Sequence, residues 1–217
     1  MKSTQQTANL RSRILLFCVV STIVLTGCNA TTKPLHKQAS IEIQEAVGFT
    51  ITEEVQIPES IRLQYYEALR YLRDENLQQG IAVLEQVTDA APGVTAPKID
   101  LGVAHHRLGD LDRAEEYLLQ ALELNSKHPV ALNELGIVYR ESGRFTDAKQ
   151  RYEAAIAVYP GYHHARRNLA ILCDLYLGDL SCALDQYEAY MATVPTDPEV
   201  EMWVADLRNR MAKYVSV

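Results

Sequence analysis

Between Pro129 and Pro160 apolar residues recur at helical spacing twice, with a glycine between the two runs. Leu132, Leu135 and Tyr139 make the first stripe around the small Gly136; Phe145, Ala148, Tyr152, Ala155 and Ile156 make the second, after Gly143. Pro160 cannot continue a helix and closes the unit. The pattern predicts a helical hairpin in which Gly136 and Ala148 mark a close crossing, flanked by larger side chains.

The same residue types return every 34 residues. One step back stand Leu101, Gly102, His105, Ala114, Leu118 and Ala121, with Gly109 at the turn; His105 and Ser126 replace the aromatic and the terminal proline. A second step back gives Ala68, Tyr71, Gly80, Leu84, Val87 and Pro92, with Glu67 where a leucine is expected. One step forward gives Leu169, Ala170 and Cys173, then one extra residue in the turn near Gly178, then Ala183, Tyr187 and Pro195. Four units follow, over residues 61–94, 95–128, 129–162 and 163–195. Their order of small, aromatic and terminal proline positions resembles the tetratricopeptide repeat. The resemblance implies an all-α fold, a right-handed superhelical solenoid of about four hairpins.

A solenoid needs an end helix with one apolar and one polar face. Residues 196–217 supply it: Asp197 is a plausible cap, Pro198 and Glu199 suit a first turn, and Val200, Trp203, Val204 and Leu207 form a stripe. At that spacing Trp203 reads as packing rather than as a binding anchor.

Residues 1–27 change the picture. Lys2, Arg11 and Arg13 precede the apolar run Ile14–Leu25, which is shorter than the roughly 20 residues of a membrane span and reads as a secretion signal. Leu25-Thr26-Gly27-Cys28 resembles the bacterial lipobox, which implies cleavage before Cys28 and lipidation of its thiol and new amine. Several acyl chains, at about 0.8 kcal/mol per buried methylene, would hold the protein on its membrane. Position 29 is Asn, not the Asp of the family's inner-membrane retention signal, which favours the periplasmic face of the outer membrane over the outer leaflet of the cytoplasmic membrane. Asn29-Ala30-Thr31 matches a glycosylation sequon that is accidental in this setting. Residues 28–60 then read as a tether, polar to about Ser40, followed by one extended segment with Phe49, Ile51, Val55 and Ile57 alternating, to lie against the first helix or remain loose.

Charge narrows the partners. The chain carries −7 overall, and removing the three basic residues of the signal leaves 18 basic against 28 acidic, or −10. Nucleic acid, which demands a basic face, is therefore excluded, and adsorption to an anionic lipid surface is disfavoured. An apolar content of 47% with few Gly and Pro excludes a disordered chain.

In repeats of this kind the first helix of each hairpin lines a concave groove that holds a protein segment. Carried over, the inward positions are Arg62, Tyr65, Leu69 and Arg73; Ile99, Val103, His106 and Arg107; Asn133, Ile137 and Arg140; and His164, Arg167 and Ile171. The arginines there either capture carboxylates of a partner or pair with neighbours such as Glu141 and Asp174. The family's clamp for a C-terminal carboxylate needs further Asn and Lys residues; only Asn133 matches, so that activity is not carried over.

No nucleophile elbow, phosphate-cradling glycine loop or zinc helix is present, and the adjacent pairs His105-His106 and His163-His164 point apart on a helix. Neither a metal, a cofactor, a small-molecule substrate nor catalysis is expected. Of the cysteines outside the signal and lipid positions, Cys173 and Cys182 sit one on each helix of the fourth hairpin, either bridged or, for Cys173, a buried thiol in a core position. The expectation is a membrane-anchored scaffold or assembly factor for a pilus, secretion, transport or cell-wall complex; the alternative is a ligand-binding receptor or an accessory subunit of an envelope enzyme.

Overall fold

A computed structural model describes residues 40–44, 48–53 and 55–215, all within one compact unit, His36–Val217. Signal, Cys28 and tether lie outside the described residues. The elements run β1 (Ser40–Gln44), β2 (Gly48–Thr52), α1 (Glu59–Arg73), α2 (Leu77–Ala90), α3 (Thr95–Arg107), α4 (Leu111–Leu124), α5 (Pro129–Glu141), α6 (Phe145–Val158), α7 (His163–Leu172), a π-helical turn (Cys173–Leu177), α8 (Leu180–Met191) and α9 (Pro198–Val215). Helices pair in order as four hairpins, α1 with α2 through α7 with α8, and α9 packs on α8. Neighbouring first helices also touch, α3 with α5 and α5 with α7, whereas the second helices stand farther apart. The stack therefore curves, and the first helices line its inner side.

Small-against-large contacts set the spacing within each hairpin. A Cβ on Gly136 would lie 2.5 Å from Cε1 of Tyr152, and one on Gly102 would lie 2.6 Å from Cγ of Leu118. Tyr152, Leu118, Tyr187 and Leu84 occupy the same repeat position and are all essentially fully buried. The first hairpin inverts the device, with Gly80 on its second helix receiving Leu72. Glu67, the exception to the repeat, is exposed and accepts from the Tyr71 hydroxyl at 3.3 Å. An apolar residue has nothing to face there, because α1 is the outermost helix described, which also leaves Leu63 and Tyr66 exposed. His105 fills its aromatic position as an aromatic would, 6% exposed and stacked on Tyr117 with centroids 5.4 Å apart.

Turns are built alike. Glu75, Gly109, Gly143 and Gly178 take the left-handed conformation, and in the first three hairpins an amide five residues on returns to the inner helix: Asn76 N to Tyr71 O, Asp110 N to His105 O and Arg144 N to Tyr139 O. In the fourth the equivalent bond runs from Asp179 N to Cys173 O, across six residues. The extra residue is thus absorbed as a single π-helical turn. Ala183 and Tyr187 return to full register and are buried. Cys173 and Cys182 bracket this turn and are joined as a disulfide, with Cα atoms 5.9 Å apart; closing so short a loop contributes about 2–3 kcal/mol.

Caps close the helix starts. His128 Nδ1 accepts from Ala131 N at 3.3 Å ahead of Pro129, and the carboxylates of Asp110, Asp179 and Asp197 accept from Arg113, Cys182 and Val200 amides. Asp197 caps α9 as its sequence position predicts, and Val200, Val204 and Leu207 are buried against the last hairpin.

The segment before α1 departs from the sequence reading. In place of one strand over 41–57 there is a two-stranded antiparallel hairpin, in which Ile41 pairs with Ile51 and Ile43 with Phe49. Val55 and Ile57 fall outside it and are exposed. A lone strand leaves its backbone unpaired, and residues 40–44, read as the end of the tether and the start of that single extended segment, supply the partner.

Two outcomes follow from this packing. Gly136→Ala should destabilise the protein by about 1–3 kcal/mol in urea unfolding, the ring of Tyr152 outweighing the gain of about 1 kcal/mol in helix propensity; an unchanged midpoint would refute the close approach. Burial lowers the pKa of His128 to about 4. The native state resists protonation that the unfolded chain accepts near 6.5, so stability present above that pH is lost as pH falls toward 4, by up to about 3 kcal/mol. His128→Asn, which keeps a capping acceptor, should flatten that part of the stability profile; a profile parallel to wild type between pH 6.5 and 4 would rule out this origin.

Candidate protein-binding groove

The inner surface combines half-buried apolar residues with a ladder of polar pairs that join one repeat to the next. Leu69, Val103, Ile137 and Ile171 are half-buried, each with part of its side chain open. Ile99 and Asn133, also inward by register, are buried at 5% and 3% exposure, so they shape the wall rather than present a surface. Tyr65 donates to Asp100 at 2.5 Å, Asn168 donates to Asn133 at 3.0 Å, and His106 Nε2 meets Glu141 at 2.8 Å. All three pairs are 35 residues apart, one repeat plus one position, so that equivalent helix faces place them side by side.

The ladder breaks at Glu134. It occupies the position of Asp100 and Asn168, but its counterpart in the preceding repeat is Ile99, which has no polar group. Among the described residues its side-chain bond comes from Asn133 at 3.0 Å. Burial raises its pKa above the usual carboxylate range, opposed by the Asn133 bond and the charge of His106. Asp100 is raised for the same reason, burial outweighing the Tyr65 bond, and Tyr65 is raised by burial first and then by Asp100. His164 is lowered by burial and by His163 and Arg167 beside it.

Four of the five groove arginines have acidic neighbours. Arg62 pairs with Glu59, Arg107 with Glu75 and the Leu72 carbonyl, Arg140 with Glu141 at 3.6 Å, and Arg167 with Glu199 at 3.1 Å while lying 5.0 Å from the centroid of Trp203. Arg73 is exposed and makes no ion pair among the described residues. Asp174, considered as an arginine partner from sequence, instead receives Arg210 of α9 at 2.6 Å. Trp203 is half-buried and packs on Tyr187 with centroids 5.7 Å apart, so one ring both covers the core and carries a cation.

Sequence reading missed an aromatic cluster where α6 meets α7. Tyr159 and Tyr162 stand 6.3 Å apart between centroids, Tyr162 lies 5.8 Å from His164, and Phe49 of β2 contacts both tyrosines. The signal available was the run of four aromatic or imidazole residues within 159–164, which broke with the other inter-repeat loops. Among the described residues no group of His, Cys, Asp and Glu is placed to hold a metal ion, and no helix is long and apolar enough to cross a membrane. Tyr65 with Asp100, His106 with Glu141 and Arg107 with Glu75 tie one repeat to the next, an arrangement suited to holding a shape.

Comparison with known proteins agrees with this geometry. The tetratricopeptide repeat family profile matches residues 95–161 and again residues 133–198. The chain is 30% identical over 95 residues to the photosystem I assembly protein Ycf3 of Rippkaea orientalis, covering 44% of this chain and 46% of that one. It is 26% identical over 118 residues to the anaphase-promoting complex subunit CDC16 of Saccharomyces cerevisiae, covering 54% of this chain and 14% of that one. The chain thus spans less than half the length of these relatives. Among solved structures, Pseudomonas aeruginosa pilF superposes with a TM-score of 0.66 at 24% identity, over 72% of this chain and 71% of that one. MamA of Desulfovibrio magneticus RS-1 superposes with 0.64 at 19% identity, over 74% and 90%. At such identities the likeness speaks for the fold. The period in the sequence, the four stacked hairpins and the two profile matches have one meaning: this chain carries tetratricopeptide repeats, matched by the family models over residues 95–198.

Proposed function

We propose that the protein is a membrane-anchored, non-catalytic scaffold or assembly factor that holds a segment of a cell-envelope protein in its concave groove. The observation that carries the reading is the inner surface itself, where Leu69, Val103, Ile137 and Ile171 keep apolar area partly open along a wall held rigid by inter-repeat pairs. Repeat solenoids use such extended concave surfaces for binding. A relative named as an assembly protein and another named as a complex subunit are in keeping with a scaffold. Because Arg62, Arg107, Arg140 and Arg167 already have acidic partners, they contribute mainly order to the walls; Arg73, which makes no ion pair among the described residues, is open to a partner's carboxylate.

The anchor rests on the Leu25–Cys28 match directly after the apolar run, and the outer membrane on Asn29. Lipid at Cys28, ahead of about 30 residues of tether and hairpin, would give the groove reach from the bilayer.

Photoreactive residues at Val103 and Ile137 should capture a protein partner in cells, while the same probe at Glu116 and Glu123 on the outer helix α4 should not. Capture from the outer positions alone would remove the groove from the proposal. Cys28→Ser should shift the protein to the soluble periplasmic fraction or leave an unprocessed precursor. A variant that migrates and fractionates as wild type would eliminate the anchor, and recovery of wild type solely with the inner membrane would eliminate the sorting assignment.

A further inference from the structure

Strand β2 turns one face to the solenoid. Side chains alternate along a strand, so Phe49, Ile51 and Glu53 share a face; all three are half-buried, while Thr52 between them is exposed. Phe49 sits edge-on to Tyr159 and Tyr162, at centroid distances of 5.3 and 5.6 Å and interplanar angles of 66° and 87°. Gly161 lets that pocket form, since a Cβ there would meet the Tyr159 ring at 3.0 Å. Tyr162, 7% exposed, is its floor, and the pocket borders the groove, because the Tyr162 ring lies 5.8 Å from that of the groove residue His164.

The other end of the strand is fixed by a different chemistry. Helix α3 begins after Val94, which has no side chain to accept from the first turn. Glu53, 42 residues earlier, accepts from Thr95 N at 3.0 Å and takes that place. A carboxylate at a helix N-terminus is favoured by the unpaired amides and by the macrodipole. The two attachments lie at the starts of α3 and α7, so β2 bridges the ends of inner helices two repeats apart.

Resting on the groove reading above, we propose that β2 is an internal occupant of a recognition site for an extended protein segment of defined pattern: an aromatic residue, an aliphatic one two positions later and a carboxylate two positions after that. A partner segment with this pattern displaces the hairpin and takes both its aromatic pocket and its helix-capping contact. The hairpin is suited to exchange, because two strands alone are marginal in water and its seat depends on a few side chains.

The test uses the full chain, a variant lacking residues 40–53, and the Phe49→Ala variant, with binding of a fluorescein-labelled peptide of residues 40–53 read by anisotropy. The deleted chain should bind the peptide. Wild type should bind it at least about tenfold more weakly, because its own hairpin competes at an effective concentration on the order of 1 mM. Phe49→Ala, which keeps the hairpin residues and should still melt cooperatively, only a few degrees below wild type, should recover most of that affinity and serves where the deletion fails to fold. Peptides carrying Phe49→Ala and Glu53→Gln should lose about tenfold and about threefold respectively. Equal affinity in wild type and Phe49→Ala, absence of binding to folded Phe49→Ala, or indifference to the peptide's Phe49 each overturns the inference. If Val103 and Ile137 still capture a partner in cells after any of those results, the groove reading stands and only the internal occupant is lost; loss of capture as well removes both.

Discussion

The close approach of paired helices where a small residue meets a large side chain is the constraint on which the rest of the structure depends. Gly136 against Tyr152 and Gly102 against Leu118 leave no room for a single added carbon. Packing that tight fixes the separation of the two helices, and repetition fixes the same separation in each unit. Only with that constancy can the inner helices line up so that residues at equivalent positions meet their counterparts in the next repeat. The polar ladder of the groove is therefore a result of core packing and has no independent source.

The ladder also gives the solenoid its own neighbour rule. On one helix, residues three or four apart are adjacent; here the recurrent spacing between repeats is about 35, as in Tyr65 with Asp100, His106 with Glu141, Asn133 with Asn168 and, at 32, Arg107 with Glu75. Tyr65 with Asp100 and Asn133 with Asn168 lie partly out of water, so they hold the wall more firmly than isolated surface ion pairs would. Glu134, opposite Ile99, is a place where the rule yields no polar partner among the described residues, and its side-chain bond comes instead from Asn133 on the same helix.

The repeats themselves were legible in the sequence because period, small residues and turn glycines all carry local signals. The fourth unit shows how far that extends: an extra residue near Gly178 was visible, but its conversion into one π-helical turn depends on Cys173 and Tyr187 keeping their buried places. The groove was legible as a list of inward positions and not as a surface, since the acids that take up its arginines come from the adjacent turn, repeat or end helix. Least legible was the hairpin. Its second strand showed alternation, but its partner strand is short and polar in context, and its seat on Tyr159 and Tyr162 is remote in sequence. Glu53 as the cap of α3 follows no local capping pattern at all.

That remoteness orders events in time as the chain is synthesised. The cluster around Ala68, Leu72 and Leu84 needs nothing beyond Tyr117 and can close while later repeats are still being made. Phe49 must wait through roughly 110 further residues for Tyr159 and Tyr162, and contacts of such long sequence separation form late. Until Tyr159 and Tyr162 have been made, β2 has no aromatic seat, and its docking is the return of a segment made early across helices that were finished after it.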